Sequence, residues 1–263
     1  MPIPRAWAAR CRVTISITVR KTLANGAAVL FWVVVWQLAA MAANRTLLLP
    51  IPTPADTLCA LARMAVKPDF WLTVGMSLLR ICAGFALAFA AGVLGAAASA
   101  QWSLFRRLAA PLIQLVRSIP VAVFTIVVFL WVSRPYIPST IVFLTVLPVI
   151  WGGVEAGLEN ADRQLWEMAR TFGMGRWDIL RRITLPGIRP HVAAAVTTAL
   201  GFAWKSGIAA EVICRTQGSL GDLLWSGKAS VSYDEVFALT VVIVACSALL
   251  QRLSAIGQRG GRP

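Results

Sequence analysis

EMARTFGMGRWDILRRITLP, from Glu167 to Pro186, is the stretch whose reading decides the fold. Ala161, Leu165, Trp166, Ala169 and Phe172 lead through it at close to 3.6-residue spacing, with Arg163, Glu167 and Arg170 interspersed. That pattern predicts a short amphipathic helix. Gly173 and Gly175 can supply the positive φ that ends such a helix and turns the chain. A second short helix is predicted from about Arg176, stopping before Pro186, because the proline biases Leu185 away from helix. Apolar runs flank the stretch on both sides. A charged helix–Gly–helix insert in that setting either lies on lipid headgroups or presents itself to a soluble partner.

Working outward, the 263-residue chain is 58% hydrophobic with a mean hydropathy of +0.73, too apolar for a soluble domain of this length. Runs close to the roughly 20 residues that cross a bilayer recur at 24–43, 75–98, 110–132, 137–157, 190–212 and 236–252. The predicted fold class is an all-α integral membrane protein with six transmembrane helices. Pro111, Pro120 and Pro148 are expected to kink or break their helices, which membrane proteins tolerate where neighbours re-satisfy the freed carbonyls. Between the first two runs, LLLPIPTPADT places Pro50, Pro52 and Pro54 in extended backbone, and an interfacial helix is expected to follow to about Met64. The first run has the basic leader of a signal peptide and small residues near Ala40 and Ala42. Its apolar length exceeds the 7–15 residues of a signal core, which predicts an uncleaved span.

The net charge of +14 invites a nucleic-acid reading, and its distribution argues against one. With the N-terminus inside, Arg5, Arg10, Arg12, Arg20, Lys21, Arg106, Arg107, Arg163, Arg170, Arg176, Arg181, Arg182, Arg189, Arg252, Arg259 and Arg262 all fall inside. Only Arg45, Arg63, Lys67, Arg134, Arg215 and Lys228 fall outside. This asymmetry follows the positive-inside rule for six spans with both ends cytoplasmic. The five cysteines show no metal or CxxC spacing, and the lone His191 reads as a packing residue, so no metal site is expected. No Ser–His–Asp set, Walker loop or carboxylate pair is present, and nothing predicts an enzyme.

Within the spans, Gly84, Ala88, Gly92, Ala96 and Ala100 form a small-residue stripe at fourfold spacing, suited to close helix packing or to lining a pathway. Arg80, Arg117, Lys205 and Glu211 are ionisable residues in or at the ends of spans, where charge is costly unless partnered or hydrated. The arginines could snorkel to an interface. Lys205 either pairs with a carboxylate such as Glu211, snorkels, or attracts an anion in a pathway.

The insert's Glu167, Ala169, Gly173, Ile183, Leu185 and Pro186 follow a Glu-x-Ala-x3-Gly-x9-Ile-x-Leu-Pro register. This resembles the EAA loop of permease subunits in binding-protein-dependent ABC importers; Met168 departs from the Glu-Ala-Ala triplet. Ser77, Leu78, Arg80, Gly84 and Phe85, then Arg117, Ile119 and Pro120, and the Trp204…Glu211 ending before GSLGDLLW, are similar to stretches of the nitrate/sulfonate/taurine group. The resemblance covers most of residues 75–252. It implies the transmembrane domain of a type I (MetI-like) ABC importer in the bacterial cytoplasmic (inner) membrane, working as a homodimer. It implies an ATPase subunit docking on Glu167, Ala169, Arg170, Gly173, Ile183, Leu185 and Pro186, and a solute-binding protein outside. Lys205, Arg80, Arg117 and Glu211 become candidate pathway residues. No cofactor is expected, ATP being bound by the separate subunit, and the partners are these proteins and membrane lipids, not nucleic acid. The expected solute is a small anion such as nitrate, a sulfonate or a taurine-like compound. A permease for a thiamine-precursor pyrimidine, riboflavin or an amino acid stays open, as does a membrane-anchored scaffold or enzyme. The expected organisation is an N-terminal part (1–74), a permease core (75–252) carrying the loop 155–186, and a basic tail (253–263).

Overall fold

The computed structural model describes residues 26–45 and 51–259. Its regular elements are helical: α1 (Gly26–Arg45), α2 (Pro54–Ala65), α3 (Pro68–Gln101), α4 (Ser103–Ser118), α5 (Val121–Phe129) and α6 (Ile137–Glu159). They continue with α7 (Arg163–Thr171), α8 (Arg176–Ile179), α9 (Leu185–Cys214), α10 (Leu220–Ala229) and α11 (Tyr233–Arg259). Five stretches are long and apolar enough to cross a membrane, and the bent α4–α5 pair makes a sixth. The basic leader, Pro50 and the end of the tail lie outside the described residues.

α2 forms where the sequence predicts an interfacial helix. Thr53 Oγ accepts the Asp56 N–H at 3.2 Å, Asp56 Oδ2 accepts the Thr53 N–H at 3.0 Å, and Pro54 fills the first turn. This reciprocal cap satisfies two otherwise orphaned donors. The Thr53 hydroxyl, which donates to Asp56 Oδ2 at 2.7 Å, and then the Thr53 N–H hold the Asp56 carboxyl below its ordinary value.

The core is a layer of three helices, with α6 packed between α3 and α9. Small residues bring the backbones together. A β-carbon on Gly84 would strike Ser139 O and Val142, one on Gly92 would meet Ile150, and one on Gly153 would strike Ala195. Gly84, Ala88, Gly92 and Ala96 are buried, so most of the stripe serves packing, while Ala100 is exposed at the end of α3. His191 packs beside Gly157 of α6. Close approach compensates for the missing hydrophobic drive between helices in lipid. α1 is peripheral: its Val29, Leu30, Phe31 and Trp32 are exposed, and Trp36 stacks on Phe237 of α11 at 5.8 Å.

Pro120 breaks the third span as expected: α4 and α5 meet at 103° across Ile119–Pro120, because Ile119 before the proline is held extended (φ −82°, ψ 126°). Pro111 and Pro148, by contrast, sit inside α4 and α6 without ending them. The insert's second helix does not stop before Pro186. α8 widens into a π-helical stretch, Leu180–Thr184, and runs on into α9, where Pro186 occupies the first turn. The wider π turn that precedes it makes room for the proline ring, which leaves one N–H missing from the helical path.

Candidate functional site

The insert's first helix, α7, begins at Asp162, whose Oδ1 accepts the Gln164 and Leu165 N–H groups at 2.8 and 3.4 Å. It ends in a left-handed turn at Gly173 (φ +72°), with Gly173 N–H donating to Arg170 O and Met174 N–H to Ala169 O, both at 3.0 Å. This double bond pattern is the Schellman closure, which favours glycine at the turning position. Ala169 is buried, as is Ile179 of α8. Trp166 donates to Thr184 Oγ1 at 3.4 Å, tying α7 to the π-helical stretch, and the Arg170 guanidinium lies 4.9 Å over the Trp166 ring. Glu167, Arg170 and Gly173 are exposed, Ile183 is half-buried, and Leu185 and Pro186 are exposed at the start of α9. Met168, Phe172 and Trp177 are also exposed, Phe172 at 80%. An amphipathic helix with its large apolar residues outward presents a contact surface.

At the opposite end of α9 the structure builds a buried polar cluster. Glu211 is fully buried; its Oε2 accepts the Ser77 hydroxyl of α3 at 2.9 Å and the Gly221 N–H of α10 at 3.3 Å. Ser77 Oγ in turn accepts the Leu220 N–H at 2.9 Å, and Arg80 donates to Gln217 O and Gly218 O at 3.3 and 3.2 Å. Glu211 and Arg80, both candidate pathway residues, thus join α3 and α9 to the loop that leads into α10. Gly221 is needed for this approach, since a β-carbon would strike Glu211 and the Val212 backbone.

The other two candidates stand apart. Arg117 Nη2 donates to Pro148 O at 2.6 Å, and Gly152 leaves the room, since a β-carbon there would fall on the guanidinium. Lys205 is exposed on α9, on the side away from Glu211, and forms no ion pair among the described residues, so the pairing of Lys205 with Glu211 is overturned. Positions 194, 198, 201 and 205 share that outward face at helical spacing, and they are Ala194, Thr198, Gly201 and Lys205. The exposed Phe202 borders this face, which is otherwise small and polar where α1 exposes large apolar residues.

Sequence reasoning missed one linkage. Arg106, at the start of α4, pairs with Glu155 at 3.1 Å and with Glu159, both on the last turns of α6. The spacing of Glu155 and Glu159, four apart at the end of a span, was the available signal. Among the described residues no group of three or more His, Cys, Asp or Glu could hold a metal.

Residues 88–259 match the family model described as "Binding-protein-dependent transport system inner membrane component". The chain belongs to this family. It is therefore a multi-pass inner-membrane permease component, not an enzyme, as the insert's register implied. An Escherichia coli K12 permease protein named for aliphatic sulfonates is 28% identical over 230 residues, covering 85% of this chain and 83% of its own. The taurine transport permease of the same organism is 25% identical over 236 residues (88% and 85% of the two chains). A bicarbonate transport permease of Synechococcus elongatus is 26% identical over 197 residues (73% and 69%). Among solved structures, an amino acid ABC transporter crystallised with histidines superposes with a TM-score of 0.63 at 16% identity, over 76% of this chain and 97% of that one. A bacterial alginate ABC transporter, solved with its alginate-pentasaccharide-bound periplasmic protein, gives 0.57 at 15% identity (95% and 96%). The fold is the all-α transmembrane domain of ABC importers.

Proposed function

We propose that this permease carries a small solute bearing an oxyanion group, that two copies of the chain form the pathway, and that a separate ATPase docks on α7 and binds all of the ATP. A solute-binding protein meets the end that carries the Glu211 cluster. The single supporting observation is the join of the insert to a spanning helix: α8, the π-helical stretch and α9 run without a break from Arg176 to Cys214. A force applied to α7 therefore reaches a membrane span through the Gly173–Gly175 turn and the Trp166–Thr184 contact, as alternating access driven by a remote ATPase requires. The oxyanion class is supported by the solutes named for the relatives, sulfonates, taurine and bicarbonate. Lys205 on the small-residue face of α9 adds a positive charge where two copies would meet, which favours transient anion occupancy.

The test is co-expression with the candidate ATPase and binding protein, followed by pull-down and by uptake of nitrate, bicarbonate, taurine and an alkyl sulfonate. The expected result is stoichiometric recovery of the ATPase and ATP-dependent uptake of at least one of the four. Phe172→Glu should strip the ATPase from the complex while the permease still inserts. Recovery of a permease that never retains an ATPase, or uptake of none but an uncharged solute, would reject this reading.

A further inference from the structure

Between α3, α4 and α6, toward the end that carries the insert, lies a cavity of about 250 Å³. Ser99, Arg106, Gln114, Arg117, Trp151 and Glu155 are among its walls. Its donors are largely unspent. Ser99 is 4% exposed and its Oγ has no hydrogen-bond partner, whereas a helical serine hydroxyl ordinarily turns back to its own helix, as Ser118 does to Gln114 O at 2.8 Å. A buried hydroxyl left unpaired is uncommon and calls for a partner. The Gln114 amide makes no side-chain hydrogen bond among the described residues, and Arg117, with five N–H groups, spends one on Pro148 O. Glu155 is the one carboxylate on these walls, and Arg106 already holds it at 3.1 Å while also reaching Glu159. With Arg106 shared between Glu155 and Glu159, Arg117 is the cation on these walls that has no carboxylate partner among the described residues.

We propose that this cavity binds a small oxyanion and is a transit station for the oxyanion end of the transported solute. The proposal rests on the reading of the chain as an oxyanion importer. A hydroxyl, a carboxamide and a guanidinium fork supply donors to several oxygens at once, which suits a planar or tetrahedral oxyanion better than a halide. The volume equals about eight waters at ~30 Å³ each, enough for such a group with part of its hydration. Ser99 is the buried end of this site, while Gln114 and Arg117 stand at its exposed side, where a solute oxyanion could reach them.

The experiment uses the full-length chain with its ATPase, purified in detergent without added phospholipid, and follows thermal unfolding against sodium nitrate and sodium methanesulfonate. Sodium chloride at equal ionic strength is the reference. A saturable rise in unfolding temperature is expected with the oxyanions and not with chloride. Ser99→Ala and Gln114→Leu should each raise the half-saturating concentration about tenfold, the loss of one charge-assisted hydrogen bond, with unchanged unfolding in chloride. An equal rise in chloride, or unaltered half-saturation in both variants, overturns the site. A rise produced by anionic lipid nanodiscs that free oxyanion cannot displace overturns the assigned occupant. Uptake of only an uncharged solute, with the saturable rise intact, defeats the importer reading and the transit role. Intact oxyanion uptake without the rise defeats the site alone.

Discussion

At the scale of single residues, Glu211 shows how a costly group is accommodated. A carboxylate in a span is expensive unless donors surround it; here Ser77 and the Gly221 backbone donate to Oε2, while the buried Oε1 has no hydrogen-bond partner among the described residues. Removing one donor leaves the charge partly unsatisfied, at about 1–3 kcal/mol. Ser77→Ala should accordingly lower the unfolding temperature of the detergent-solubilised protein, and Gly221→Ala should do the same through overpacking against Glu211 at about 1–3 kcal/mol. Unchanged melting of both variants would show that the cluster carries no stability. Lys205 behaves differently because it has no ion pair among the described residues to lose. Lys205→Gln should leave assembly and melting unchanged and lower anion uptake several-fold; full uptake by a normally assembled variant would place Lys205 outside the pathway. The residue types of this cluster were legible, its connectivity was not. Sequence alone offered Lys205 as a partner for Glu211, because it gives no measure of which helix faces turn outward.

At the scale of elements, α7 was the most legible part of the chain. Apolar spacing, a closing glycine and flanking charge all encode local geometry, and local geometry is what a short helix with its own caps expresses. Gly173→Val should strain the left-handed turn by about 1–2 kcal/mol and reorient α8, reducing ATPase-coupled uptake while membrane insertion persists. Glu167→Lys should weaken ATPase recovery while the permease still inserts in the membrane. If both variants retained wild-type uptake, α7 would not be the docking element. Less legible were the proline positions. Pro120 breaks a helix, Pro148 does not, and Pro186 starts one. Pro120 follows an Ile119 held extended, whereas Pro148 lies in an α6 packed on both sides by α3 and α9, and the π-helical stretch precedes Pro186. Such rescue is tertiary and leaves no mark in local sequence.

For the whole molecule, the charged pairs sort by end in agreement with the basic-residue distribution. Arg106 meets Glu155 and Glu159 at the end that carries α7, and Arg63 meets Asp234 at 2.6 Å at the other. A single cysteine placed at the exposed position 67, in an otherwise cysteine-free chain, should react with an impermeant reagent on intact cells. One at the exposed position 178 should react only after permeabilisation. Labelling of position 178 in intact cells would reverse the orientation. Six apolar runs were enough to foresee this arrangement because bilayer thickness fixes span length; Pro120 marked the break between α4 and α5, though not its 103° angle.

The unbroken helical path from Arg176 to Cys214 has a mechanical consequence. Its 39 residues span at most about 58 Å at 1.5 Å per residue. It carries the insert at one end and the Glu211 carboxylate near the other. Pivoting about its middle by ~5°, a rod of that length would swing each tip by about 2.5 Å. That travel is close to a hydrogen-bond length, so a small torque on α7 is amplified into enough displacement to pull Glu211 off the Ser77 hydroxyl. In leverage terms, the fulcrum is the glycine-smoothed contact with α6, and the load is the outer loop.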